Sequence, residues 1–270
     1  MLLLDGRKAR AHYTALLIEK VNKLSFSPRL AIIQVGNRAD SDAFIKAKKS
    51  FANKIGVKEI HTKLPGEVSQ EEILQIIKKY NEDKDVHGII VQLPLPPHLD
   101  SEFIINSIDP KKDTDGLTPN TTVMPATARG ISQLMDFYNI DIKNKKVVVV
   151  GRSKLVGMPI AEMCKKRGGI VNICHSKTPY LREETIKSDI LIVATGRAHL
   201  IKKEYVKEGA VVIDVGITRL DNGELTGDVD FYDVKDTVSM ISPVPGGVGQ
   251  MTVLALFENL LDACYNTKYE

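Results

Sequence analysis

One lysine in the first third of the chain has a position that suits acid–base chemistry. Hydrophobic periodicity predicts a helix over residues 41–56, "SDAFIKAKKSFANKIG", and places Lys48 on its apolar arc. The other members of that arc are Phe44, Phe51 and Ile55. Burial lowers the pKa of an amine, so Lys48 is a candidate proton carrier at neutral pH. The alternative is that its stem packs while the amine reaches water.

Two further segments could supply polar partners for this lysine. Gln92 follows the apolar run "GIIV" and precedes a proline-rich loop, so its amide is expected at the carboxyl end of a strand, where α/β proteins bind ligands. Asp113 and Asp115 precede Gly116 in "DPKKDTDGLTPN". Aspartates in turns commonly hydrogen-bond their own backbone, so composition leaves open which of the two meets a ligand.

A different segment, "VVVVGRSKLVGMP" at residues 147–159, is typical of a buried parallel strand that turns into a helix. On that reading Gly151 makes the turn, and Arg152 and Ser153 face cofactor phosphates. The dinucleotide fingerprint is incomplete, because Ser153 stands where a second glycine is usual and the next glycine is Gly157. An ordinary strand-to-helix turn is the alternative.

The end of the following strand bears on cofactor choice. An NAD enzyme normally places a carboxylate there, whereas this chain has "CHSK", with His175, Ser176 and Lys177. These donors, with Arg152, favour the 2′-phosphate of NADP. A Pro/Gly-rich loop from Pro243 to Gly249 leads into an apolar helix and could present backbone amides to a ligand or serve as a plain linker.

These segments are carried by strands and helices that alternate along the whole chain, a pattern typical of an α/β fold. The second half contains four apolar strands separated by plausible crossover helices in "PIAEMCKKR", "TPYLREETIK" and "KKEYVKEG", as in a doubly wound nucleotide domain. The charged, turn-rich stretch before Asn120 suggests a boundary there. We therefore predict two domains, residues 1–120 and residues 121–270, with a final helix at about 250–265 that packs back towards the first domain.

Composition excludes several classes of protein. The 270 residues include three cysteines without a C-x-x-C pair, which favours buried thiols in a reducing compartment, and hence a cytoplasmic protein. The longest apolar runs are too short for a signal peptide or a membrane span. A net charge of +3, with lysines scattered among acids, does not indicate nucleic-acid binding.

The motifs together resemble the bifunctional methylenetetrahydrofolate dehydrogenase/cyclohydrolases, across nearly the whole chain. The resemblance rests on the pattern from Val35 to Lys48 and on the segments "HGIIVQLPLP", "KDTDGLTP", "GRSKLVGMP", "ICHSKT", "DILIVATG", "VIDVGITR" and "PVPGGVGQMT". It implies an N-terminal folate-binding domain, a C-terminal Rossmann-like NADP domain, a cleft between them, and a homodimer formed through the nucleotide domains. NADP-dependent oxidation of 5,10-methylenetetrahydrofolate and hydrolysis of the methenyl product are the implied reactions, with no metal.

The resemblance also implies roles for individual residues. The catalytic set is Lys48, Gln92 and Asp115. The substrate contacts are those three with Phe44, Leu93, Pro245, Gly246 and Gly249, and the cofactor contacts are Gly151, Arg152, Ser153, Ser176 and Ile217.

Three departures from the family pattern accompany these matches. Phe44 stands where the family usually has a tyrosine, Ala126 and Ala128 interrupt a Pro-Cys-Thr-Pro pattern, and Gln250 replaces a proline. A dehydrogenase with weak cyclohydrolase activity and a catalytically silent nucleotide- or folate-binding protein are the resulting alternatives. A shikimate-dehydrogenase-like NADP enzyme would share the architecture but would not explain Lys48, Gln92 and Asp115 together.

Overall fold

The structure is a computed structural model that describes residues 1–266. Its strands are β1 (Leu2–Leu3), β2 (Arg29–Val35), β3 (Lys58–Leu64), β4 (Gly88–Val91), β5 (Lys146–Val150), β6 (Ile170–Cys174), β7 (Ile190–Val193), β8 (Val211–Asp214), β9 (Thr218–Arg219), β10 (Leu225–Thr226) and β11 (Met240–Ile241). Its α-helices are α1 (Gly6–Asn22), α2 (Ala39–Ile55), α3 (Gln70–Glu82), α4 (Ser101–Asn106), α5 (Ala126–Phe137), α6 (Gly157–Lys166), α7 (Leu181–Thr185), α8 (Phe231–Val234) and α9 (Val248–Asn266).

The chain folds into two compact units, and the first, which we call the three-stranded unit, comprises His12–Ala126 and the residues from Val253 onward. Its parallel sheet has the order β3-β2-β4. β2 is central and almost wholly buried, which suits the apolar run from Leu30 to Ile33. α3 begins with a capping box, in which the Glu72 backbone N–H donates to the Ser69 hydroxyl and the Ser69 backbone N–H donates to the Glu72 carboxylate.

The second unit, the six-stranded unit, comprises Met1–Ala11 and Thr127–Thr252. Its parallel sheet has the order β1-β11-β8-β7-β5-β6, and β9 and β10 form a separate antiparallel pair. The chain leaves β5 towards β6 on one side and continues to β7 on the other, so the carboxyl ends of β5 and β7 mark the point where strand order reverses. Ligands of doubly wound sheets bind at such points.

The units divide the chain differently from the predicted boundary at residue 120. The change falls after Ala126, and residues 1–11 belong to the six-stranded unit because β1 pairs with β11 at the edge of that sheet. A two-residue strand gives no periodic signal. The C-terminal helix predicted at about 250–265 is α9, and from Val253 onward its residues belong to the three-stranded unit.

Two elements differ from what the sequence indicated. β3 was not predicted, because "KEIHTKL" is a half-exposed edge strand with little apolar alternation. The crossover helix predicted in "KKEYVKEG" is a single 3-10 turn at Lys203–Tyr205. All three cysteines are buried, as predicted. No helix within residues 1–266 combines the length and the apolar character needed to cross a bilayer.

Candidate active site and cofactor site

Lys48 is buried within α2, with 9% of its surface exposed. Burial lowers the pKa of its amine, and the nearby Asp115 carboxylate opposes that fall. The predicted apolar arc is only partly correct. Phe51 and Ile55 are buried, but Phe44 is 40% exposed, and the buried face of α2 begins instead with Ser41 and Ile45.

Gln92 fixes the position of the lysine amine. Its backbone N–H donates to the carbonyl of Ile33 and so extends the pairing of β2 with β4 by one residue. Its side-chain Oε1 accepts a hydrogen bond of 3.0 Å from Lys48 Nζ, while its Nε2 donates to the Leu93 carbonyl at 2.7 Å. Because both ends of the amide are engaged, its oxygen is held towards the amine.

The two aspartates of the "KDTDG" loop have different surroundings. Asp113 accepts hydrogen bonds from the backbone N–H groups of Gly116 and Thr118, at 2.9 and 2.7 Å, and pairs beside β4 at Ile89. It therefore builds the turn. Asp115 is half-buried, and burial raises the pKa of its carboxyl, opposed by the charge of Lys48. Asp113 thus builds the turn, whereas Asp115 lies within electrostatic reach of the Lys48 amine.

A residue that the sequence analysis missed holds this loop. Asn259 of α9 is fully buried, and its Nδ2 donates to the carbonyls of Thr114 and Met124 at 2.9 and 3.0 Å. The amide thereby ties together the two ends of the loop around Asp115. An asparagine inside an apolar helix was the available signal, because a buried amide needs polar partners.

A cavity of about 450 Å³ lies at the carboxyl ends of β5, β6 and β7 in the six-stranded unit. Four predicted cofactor residues line it: Gly151, Arg152, Ser153 and Ser176. His175, which the sequence analysis named as a donor, also lines it, and the structure adds Thr195 and Arg197 from the "ATGR" segment that follows β7. The basic side chain after that strand end could have been noticed in the sequence.

Close backbone packing shapes this cavity. Gly151 has φ of +126°, and a Cβ there would overlap the Ala194 carbonyl oxygen. The Ser153 hydroxyl accepts from the N–H groups of Val156 and Gly157 at 3.2 and 3.3 Å, so it binds the backbone before and at the first residue of α6 as well as lining the cavity. The glycine cradle, two arginines and hydroxyl donors fit a phosphate-bearing dinucleotide.

The remaining predicted residues lie elsewhere in the same unit. Ile217 is 43% exposed and is not among the residues that line the cavity, but its Cδ1 is within van der Waals distance of a Cβ built on Gly249. Gly246, with φ of +111°, follows Pro245 and accepts a hydrogen bond of 2.9 Å from the Gly6 backbone. Within residues 1–266, no three His, Cys, Asp or Glu side chains are grouped so as to hold a metal ion.

Comparison with known proteins agrees with this picture. The sequence profile "Tetrahydrofolate dehydrogenase/cyclohydrolase, catalytic domain" matches residues 4–115, and "Tetrahydrofolate dehydrogenase/cyclohydrolase, NAD(P)-binding domain" matches residues 125–268. These two profiles cover most of the chain. The chain therefore belongs to the tetrahydrofolate dehydrogenase/cyclohydrolase family, as the sequence motifs indicated.

Individual relatives are similar over their whole length. The "Bifunctional protein FolD" of Lactococcus lactis subsp. lactis is 44% identical over 97% of each chain. The crystal structure of a bifunctional FolD from Campylobacter jejuni has a TM-score of 0.96 at 39% identity, covering 99% of each chain. A Trypanosoma brucei FolD complexed with NADP cofactor and inhibitor has a TM-score of 0.95 at 33% identity, covering 100% of this chain and 99% of that one.

The shikimate dehydrogenases, considered above as an alternative, are similar to this chain only in fold. A shikimate dehydrogenase from Aquifex aeolicus is 12% identical with a TM-score of 0.57, over 92% of this chain and 99% of that one. That level of identity carries no functional inference.

Proposed function

We propose that the protein oxidises 5,10-methylenetetrahydrofolate with NADP and hydrolyses the 5,10-methenyl product to 10-formyltetrahydrofolate. The observation that carries the proposal is the buried Lys48 amine, hydrogen-bonded to Gln92 at 3.0 Å and electrostatically coupled to Asp115. We assign the folate to the three-stranded unit and NADP to the six-stranded unit. Whole-length identity to bifunctional relatives supports both assignments.

For the first reaction, NADP would be held by Gly151, Arg152, Ser153 and Ser176, and when bound it supplies the hydride acceptor. The substrate's methylene carbon loses a hydride and becomes the methenyl cation. Asp115 orients the pterin through hydrogen bonds, and the exposed Phe44 ring offers a face for stacking. The proposed NADP contacts also include Ile217. The proposed folate contacts also include Leu93, Pro245, Gly246 and Gly249.

For the second reaction, Lys48 acts as the proton carrier. A neutral amine takes a proton from the water that attacks the methenyl carbon and returns it to N5 as the C–N5 bond breaks. The hydroxyl left on that carbon releases its remaining proton to solvent and becomes the formyl C=O. Because burial lowers the pKa of Lys48, the unprotonated fraction of its amine at a given pH is larger than for an exposed lysine. Gln92 keeps Nζ in place during both transfers.

The test is direct. Purified protein is mixed with NADP and methylenetetrahydrofolate, and the absorbances of reduced cofactor and of methenyl product are followed. Formation of NADPH, then decay of the methenyl signal faster than in buffer, is expected. Tight binding of both ligands without turnover would instead identify a silent binding protein.

We also propose a cytoplasmic homodimer formed through the six-stranded unit. The supporting observation is that β6 is the edge strand of its sheet, with Ile170 61% exposed. Light scattering at micromolar concentration should give twice the 29.9 kDa chain mass, and a monomer would contradict the proposal.

A further inference from the structure

One fully buried carboxylate in the six-stranded unit has no part in the chemistry described so far. Asp228 has 0% of its surface exposed and follows β10. Its Oδ2 accepts hydrogen bonds from the Thr195 backbone N–H, from the Thr195 hydroxyl at 2.9 Å and from the Gly196 backbone N–H at 3.0 Å. Such charge-assisted bonds are roughly twice as strong as neutral ones.

The three donors belong to the turn after β7 that forms one wall of the cofactor cavity. Thr195 and Arg197 line that cavity, and the Thr195 hydroxyl also accepts from the Arg197 backbone N–H at 3.3 Å. Gly196 between them has φ of +69°. The Asp228 carboxylate therefore lies behind the wall and binds it at three points.

The other carboxylate oxygen faces a second segment. Asp228 Oδ1 is buried and has no hydrogen-bond partner within the described chain, and a Cβ built on Gly216 would overlap it. Gly216 directly precedes Ile217, a proposed cofactor contact. The Gly216 N–H is in turn bound by Asp214, which also accepts from the N–H groups of Asp228 and Val229, at 2.9 to 3.0 Å.

We propose that Asp228 is a positioning residue for NADP, acting through Thr195 and Gly196. The inference rests on the proposed function and deepens it. Without the carboxylate, the N–H groups of Thr195 and Gly196 and the Thr195 hydroxyl lose their shared acceptor, and the turn can relax away from the cavity. Since a displacement of about 1 Å at a binding wall is costly, NADP binding is the property at risk.

The proposed second reaction offers an internal control, because hydrolysis of methenyltetrahydrofolate uses no NADP. In Asp228→Ala, the NADP dissociation constant measured by calorimetry should rise at least tenfold, and kcat/KM for NADP should fall by as much. Methenyl hydrolysis by the same protein should stay within twofold of wild type. Asp228→Asn should recover most of the NADP affinity, because its amide oxygen can still accept from the turn.

Asp189 provides a control variant. It directly precedes β7, whereas the turn that Asp228 binds follows β7. The Asp189 carboxylate accepts from the Lys146 backbone N–H at 2.9 Å and from the Lys207 amine at 2.7 Å, so Asp189→Ala loses two carboxylate hydrogen bonds away from the cofactor cavity. NADP affinity should be unchanged in Asp189→Ala. If Asp228→Ala does not fold, Asp228→Glu replaces it, since it keeps the charge but displaces the acceptor oxygen, and the same tenfold loss is expected.

Three outcomes would overturn the inference. The first is that folded Asp228→Ala or Asp228→Glu binds NADP as tightly as the wild type. The second is that either variant loses methenyl hydrolysis by the same factor as NADP binding. The third is that Asp189→Ala loses as much NADP affinity as the Asp228 variants. Failure of the proposed function is distinguishable, because the wild-type protein would then lack turnover while its calorimetric NADP binding could still be compared with that of the variants.

Discussion

Lys48 Nζ donates a 3.0 Å hydrogen bond to Gln92 Oε1, across 44 residues of sequence. The lysine comes from the middle of α2 and the glutamine from the residue after β4. Because the Gln92 amide nitrogen is itself bound to the Leu93 carbonyl, the amide cannot rotate without losing both bonds. The amine is therefore held by a neutral acceptor, which does not favour its protonated form as strongly as a carboxylate contact would.

Replacing Lys48 by methionine tests the proton carrier. Lys48→Met keeps most of the packing stem, so the fold and folate binding should survive, while methenyl hydrolysis should fall by about 10²–10⁴, the usual contribution of general acid–base catalysis. In the wild type the rate should rise with pH as Lys48, whose pKa is lowered by burial, loses its proton. The residual rate of the variant should lack that rise.

Lys46→Met is the matched control, since Lys46 is exposed two residues earlier on the same helix. It should hydrolyse at the wild-type rate. Wild-type hydrolysis by Lys48→Met would mean that the buried lysine is only a packing residue.

Replacing Arg152 by alanine tests the choice of cofactor. Arg152 lines the cavity beside Ser176, where an NAD enzyme would place a carboxylate. A charge-assisted contact contributes about 1.5–3 kcal/mol, so Arg152→Ala should weaken NADP roughly ten- to hundredfold and NAD much less. The check is KM for each cofactor in the wild type and the variant.

Lys154→Ala serves as a control, because Lys154 follows in the same loop but is not among the residues that line the cavity. Its ratio of NADP to NAD affinity should equal that of the wild type. Equal losses for both cofactors in Arg152→Ala would contradict the assignment.

Much of this architecture could be predicted because the signals are local. The valine run of β5, the capping box of α3 and the inward position of Lys48 each follow from a few neighbouring residues. Asn259 and Asp228 could not be assigned in this way. Their partners lie 145 and 33 residues away along the sequence, and only the folded chain brings donor and acceptor together.

Phe44 shows a further limit of periodicity. Helical periodicity predicts which residues face the same direction, but not how much of that helix face the rest of the protein covers. Phe44 and Phe51 share the predicted arc, yet their exposed fractions are 40% and 3%.

Asp214 makes stability depend on pH. Burial is the main cause that raises the pKa of its carboxyl from 3.8 to about 7, and the Asp228 charge adds to it. Between those two pH values the folded protein keeps a proton that the unfolded chain has released, so the free energy of unfolding falls as pH rises through this window, by at most about 4 kcal/mol. In Asp214→Asn the fall between pH 5 and 8 should be much smaller.

Urea unfolding of the two proteins at several pH values measures this difference. Asp221→Asn is the control, because Asp221 is exposed in a turn, and it should follow the wild-type curve. Parallel curves for the wild type and Asp214→Asn would show that Asp214 is ionised throughout the range.

Phe44→Tyr tests the departure of this chain from the family pattern at the start of α2. The Phe44 ring is 40% exposed, so one more oxygen can be accommodated without repacking the buried face of the helix. A phenol there could hydrogen-bond the attacking water or the Lys48 amine, which contributes about 0.5–1.5 kcal/mol, or a few-fold to tenfold in rate if the bond acts only in the transition state. Hydride transfer depends mainly on how the two rings are juxtaposed, which phenylalanine already permits. The ratio of cyclohydrolase to dehydrogenase activity should therefore rise in Phe44→Tyr.

Phe26→Tyr is the control for this prediction, because it adds the same hydroxyl to a ring that is 36% exposed and stacked on His87. It should leave the ratio of the two activities unchanged. An unchanged or lower ratio in Phe44→Tyr would show that the missing hydroxyl does not limit hydrolysis in this protein.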